Sequence, residues 1–125
     1  MSVQRRFRHA DACSKRWART LTEEFKKGAC HAGRYESSLV LAARPELVRE
    51  SLRASLEPRP IDLAKAMKGG VKTFKEAGAG EGYFGDPALA SVEHGEEIYR
   101  LLVDMVMTEI GETFPPTSSS APPAR

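Results

Sequence analysis

The stretch "HAGRYESSLVLAARPELV" (31–48) decides how this chain is organised, because it joins a polar, glycine-bearing loop to an apolar run without a spacer. Residues 28–35, "GACHAGRY", have two glycines and no periodicity, which predicts a loop or short extended segment. Glu36, Ser37 and Ser38 then lead into Leu39-Val40-Leu41-Ala42-Ala43, apolar nearly all round, which predicts a short buried helix. Pro45 disfavours helix at Arg44 and suits the first turn of a new helix over 45–56. Leu47, Val48, Leu52 and Leu56 form its apolar face, and Pro58 with Pro60 ends it.

Upstream, Cys13, Trp17, Leu21 and Phe25 recur every fourth position, predicting a helix from about Asp11 to Lys27 with Trp17 as a core anchor. Asp11 serves as its N-cap and Gly28 as its terminator, while Thr20 with Glu23 offers a rival capping box that would restart it midway. Downstream, "IDLAKAM" (61–67) reads as a helical turn and "VKTF" (71–74) as a short strand. The glycine-rich "GAGEGYFGDP" (78–87) turns the chain, with Tyr83 and Phe84 packing and Asp86 capping ahead of Pro87. It lacks a GxGxxG pattern and a Walker lysine, so it is no nucleotide loop. From about Ser91 to Phe114 runs the strongest helix, its apolar face formed by Ile98, Leu101, Leu102, Met105, Val106 and Ile110.

The 125 residues suit one domain: a basic start (1–10), a folded body (11–114) and a proline- and serine-rich tail (115–125) expected to be disordered. No eighteen-residue apolar run exists, and no apolar segment follows the basic start, so neither a membrane span nor a secretory signal is expected and the location is read as cytoplasmic. Cys13 and Cys30 match no disulfide scaffold or CxxC zinc site. Residues 1–27 hold eight Lys/Arg against three Asp/Glu, a net of +5, and residues 28–125 hold eleven against fourteen, a net of −3. The basic arm "QRRFRH" (4–9) reads as a solvated terminus, so no nucleic-acid partner is expected.

Several residues carry chemistry beside a plainer reading. His31 sits between small residues before a buried helix, where an imidazole binds a metal or exchanges a proton near neutral pH; a hydrogen-bonding surface histidine is the plainer alternative. Glu36 gains from the positive end of a helix dipole, and the sharper alternative makes it a metal ligand or a partner of His31. Cys30 needs an activating base to be a nucleophile, and otherwise reads as a small buried residue. His94-Gly95-Glu96 reads as exposed helix surface, since residues two apart do not share a helix face.

Taken together, "HAGRYESSLVLAARPELV" (31–48) and "GYFGDPALASVEHGEEIYRLL" (82–102) resemble two signatures of the creatininase family. The first resembles its His-Ala/Gly-Gly-x-x-Glu-Thr-Ser segment with the following apolar helix, the second its Gly-Asp-Pro turn ahead of the C-terminal helix. The resemblance covers about residues 16–114 and implies the C-terminal part of a three-layer α/β fold, helix-rich here with few short strands. It implies a metal-dependent amidohydrolase that cleaves the carbon–nitrogen bond of a small non-peptide or cyclic amide, commonly as a homo-oligomer. By that resemblance His31 handles a proton beside the reacting carbonyl, Glu36 lies close to the metal centre as a possible ligand, and Cys30 and Gly33 line the substrate. Ser37 stands where the family has threonine, and Cys30 where creatininase itself has an acidic residue.

The family's Glu-x-His segment does not occur in this chain, and the chain has no Asn at all. A hydrolytic metal site takes three or more protein ligands and an open position for water. The expectation is therefore a truncated enzyme or one half of a split enzyme, needing Zn or Mn and a complementing N-terminal half, and inactive alone. A non-catalytic assembly subunit or pseudoenzyme keeping the family's C-terminal helices is the alternative.

Overall fold

The computed structural model describes residues 14–29 and 31–115. Among them the chain forms six α-helices: α1 (Lys15–Ala18), α2 (Glu23–Lys26), α3 (Arg34–Ala43), α4 (Glu50–Ala54), α5 (Leu63–Lys68) and α6 (Val92–Thr113). Single 3-10 turns at Pro45–Leu47 and Pro87–Leu89 each follow a proline that starts the turn. The only β pairing among the described residues is one antiparallel bridge, Arg59 to Gly85. The described chain is thus helix-rich, as a partial α/β fold would be, and the segment 71–74 read as a strand from sequence lies in turns. None of its helices is long and apolar enough to cross a membrane.

The expected helix over 11–27 is two helices. Ser14 caps α1 by accepting the Trp17 N–H, the chain breaks at 19–22, and Thr22 caps α2 by accepting the Phe25 N–H. The restart foreseen between Thr20 and Glu23 occurs, with Thr22 as the cap. The helix expected over 45–56 shortens to α4, and Leu47 and Leu52 stay 66% and 52% exposed, so its apolar spacing buries no continuous face. Asp11, Cys13, Cys30, the basic start and the tail beyond residue 115 lie outside the described residues.

The main packing is α3 against α6. Leu21, Tyr35 and Ile98 form its buried core, with Phe25, Leu39 and Leu102 packed around them. A second core joins Ala29, Leu63, Ala79 and Phe84 and fastens the Tyr83–Phe84 turn to α5. α1 reaches the far end of α6 through polar groups: the Trp17 indole N–H donates to Glu109 at 2.7 Å and Arg16 pairs with Glu112 at 2.6 Å. Trp17 is therefore only half-buried and acts through its polar edge as well as its ring.

Ser91 caps α6 by accepting the His94 N–H. The helix is apolar on two sides. Ile98 and Met105 are buried, whereas Val103, Val106, Met107 and Ile110 are 42–60% exposed. The sequence reading put Val106 and Ile110 on one wide apolar face with Ile98 and Met105; at about 100° per residue they lie about 100° and 140° round the helix from Met105, on a flank that stays exposed.

Candidate functional site

The first glycine-flanked loop delivers His31 and Glu36 to one place. Ala32 adopts φ 50°, a left-handed conformation that costs an L-residue about 1–2 kcal/mol. That kink lets the Glu36 side chain, in the first turn of α3, reach back and accept the Ala32 N–H at 2.6 Å. His31 Nδ1 then lies 3.9 Å from the same carboxylate oxygen. This is an electrostatic contact, too long for a hydrogen bond. Both side chains are nearly half exposed, at 43% and 47%. Glu36 thus stands in the first turn of α3 and also faces His31.

The His31 ring is backed by aromatic side chains. Its centroid lies 4.7 Å from that of Phe74, which meets the fully buried Phe84 edge-on at 5.2 Å. The His31 carbonyl accepts the Phe84 N–H at 2.9 Å. Thus the two signature segments touch directly, through residues 53 positions apart in sequence. Phe74 was read as part of a strand and carried no functional signal in sequence.

Gly33 is buried, and its side-chain direction is filled: a Cβ there would sit 2.1 Å from Glu24 Oε1 and 2.3 Å from the Phe84 carbonyl. Its role in the geometry is close approach of two backbones. Gly85 is used in the same way, with Glu24 Cδ 2.4 Å from where its Cβ would be. The half-buried Glu24 accepts the Asp86 N–H at 2.9 Å, and burial holds its carboxyl above the usual carboxylate range against the pull of that bond. Glu24, Arg34 and Asp86 line a cleft of about 310 Å³, and Glu36 lines a second, of about 280 Å³, with Ala32, Ser37 and Val40. Asp86 stands at the start of its 3-10 turn, but its side chain makes no capping hydrogen bond, contrary to the expectation from the Asp-Pro pair.

The segment 94–96, read as plain helix surface, instead makes the tightest contact between α3 and α6. Ser38 is fully buried; its hydroxyl accepts the Ser91 N–H at 3.2 Å and shares a hydrogen bond with His94 Nδ1 at 3.1 Å. Gly95 is buried against α3 and Glu96 is exposed. An isolated glycine inside a strongly periodic helix was the available signal for this close contact.

Among the described residues, no three His, Cys, Asp or Glu side chains converge in a way that could hold a metal ion. His31 and Glu36 are brought together, Gly33 packs against Glu24 and the Phe84 carbonyl, and Cys30 lies outside the described residues.

A family model described as creatininase, creatinine amidohydrolase, matches residues 3–110. The chain belongs to the creatininase family. No curated protein and no solved structure matches it. For this family member an amidohydrolase activity follows at the level of the family, which is generally metal-dependent. The donor set described above does not by itself fit such a metal.

Proposed function

We propose that this creatininase-family chain contributes the His31 loop of an amidohydrolase site, acting on a small non-peptide or cyclic amide, with the metal ligands supplied by a complementing N-terminal half. The observation that carries this reading is the His31–Glu36 pair, 3.9 Å apart on a loop pinned to the Gly-Asp-Pro turn. Cleaving an amide requires a proton to reach the departing nitrogen, and an imidazole can accept and return one near neutral pH. With Nδ1 turned to Glu36, Nε2 is the nitrogen that exchanges it. Gly33 and Cys30 lie beside His31 in sequence and would border the substrate.

The absence of a Glu-x-His segment and of any Asn supports a complementing half, and so does the lack of a three-ligand cluster among the described residues. The exposed Val103, Val106, Met107 and Ile110 on α6 support a covering partner, whether that half or a second copy. The same stripe favours one second reading, a non-catalytic assembly subunit. Zn or Mn would serve the complete enzyme, and we take it to work in the cytoplasm.

The test is to purify the chain alone and together with the product of any neighbouring creatininase-like reading frame, then measure bound Zn and Mn and hydrolysis of an amide panel. The proposal expects stoichiometric metal and turnover only in the complemented sample. Stoichiometric metal on the isolated chain would overturn the need for a complement, and a metal-loaded complex with no turnover would favour the assembly reading.

A further inference from the structure

We infer that Glu24 is the positioning residue that sets where the His31 loop stands, by tying the start of α3 to the Gly82–Asp86 turn through its carboxylate. The inference rests on the reading of His31 given above. Glu24 comes from α2 and enters the space between Gly33 and Gly85, the two positions where a Cβ would collide with it at 2.1 and 2.4 Å. Two glycines on separate segments thus make room for one side chain.

On one side Glu24 Oε2 accepts the Asp86 N–H at 2.9 Å. On the other it faces the N–H groups of Arg34 and Tyr35, at the first turn of α3. The first turn of a helix presents its N–H groups towards the preceding chain, and the N-cap, Gly33, has no side chain to offer them. A negative group from elsewhere suits that position by charge as well as by hydrogen bonding, although Oε1 stays short of full hydrogen-bond geometry.

The consequence reaches His31 through two routes. The turn that Glu24 holds carries Phe84, whose N–H bonds the His31 carbonyl and whose ring supports Phe74 against the imidazole. The Gly33 backbone, against which the carboxylate rests, is two residues from His31. Glu24 meets the proposed substrate border only at the Gly33 backbone, so its effect on chemistry passes through the placement of the His31 loop.

The experiment uses the full 125-residue chain with isotope-labelled histidine and backbone nitrogen, followed by NMR. Glu24→Ala should shift the His31 ring resonances and the Phe84 amide while the amides around Ile98 in α6 stay put. Glu24→Gln, whose side-chain oxygen still accepts the Asp86 N–H, should return most of that shift, a rescue that loss of general packing would not give. A second measurement needs no disruptive variant at position 24. In an Asp86→Asn chain, which removes the other carboxyl facing Glu24, the amide proton of position 86 should follow the Glu24 carboxyl titration with the same midpoint. His31 resonances unmoved in folded Glu24→Ala, or an amide at position 86 that ignores the Glu24 titration, would overturn the inference. Neither readout depends on turnover, so His31 could prove non-catalytic while the tether stands.

Discussion

The backbone of Gly95 in α6 lies so near the Ser38 carbonyl oxygen in α3 that a Cβ on Gly95 would sit 2.1 Å from it, and 2.7 Å from the Ala42 methyl. Alanine is the better helix former by about 1 kcal/mol, so on propensity alone Gly95→Ala should stabilise α6. The contact reverses that expectation. The obstructing atom is backbone, and forcing two packed helices apart costs about 1–3 kcal/mol or more. We expect Gly95→Ala to lower the thermal midpoint by several degrees in a calorimetric scan. A raised midpoint would show that α3 and α6 do not approach this closely.

His94 supplies a pH dependence at the same contact. Burial, followed by the charge of Arg34, holds its pKa below the ordinary 6.5, with Glu97 opposing. Between the folded value and 6.5 the unfolded chain binds more protons than the folded one, so this contribution to stability is present above 6.5 and is lost as pH falls through the folded value. Glu24, with its raised carboxyl pKa, works in the opposite sense at lower pH, favouring the fold on acidification. The clean comparison is therefore between wild type and His94→Gln. Urea midpoints should converge or cross as the pH is lowered from 7.5 towards 5.5, and parallel curves would contradict the role given to His94.

Glu36 has a part that can be separated from any role at a metal. Removing its carboxylate leaves the Ala32 N–H without its acceptor at a residue already held at φ 50°. Glu36→Ala should cost about 1 kcal/mol, and Glu36→Gln, which keeps an oxygen acceptor, should recover most of it. Chemical denaturation of both variants checks this. Equal losses in the two would mean that charge, and not the hydrogen bond, is what the loop requires.

The elements that were legible from the sequence are those governed by local rules. α6 begins after Ser91 and ends near Phe114 as the spacing indicated, and the helix after Glu36 forms, starting two residues earlier at Arg34. What escaped was set by contacts across the chain. The apolar stripe of α6 divides because only one side meets α3, whereas the break within 11–27 was open to the sequence as a rival capping box, placed at Thr20 where the cap is Thr22. His31 and Glu36 could be singled out because both lie in one short motif. Glu24 could not, since its meaning comes from Gly33 and Gly85, nine and sixty-one positions away. Phe74 likewise gains its place behind His31 only through Phe84.

The account turns on His31 moving a proton without holding a metal. In the complemented, metal-loaded enzyme, the direct measurement is the amide hydrolysis rate of His31→Ala together with its metal content. The prediction is a fall in kcat of about 10²–10⁴-fold, the range for losing a general acid–base group, with metal content unchanged. An unaltered rate would contradict the catalytic role of His31, and loss of metal along with rate would make it a ligand instead.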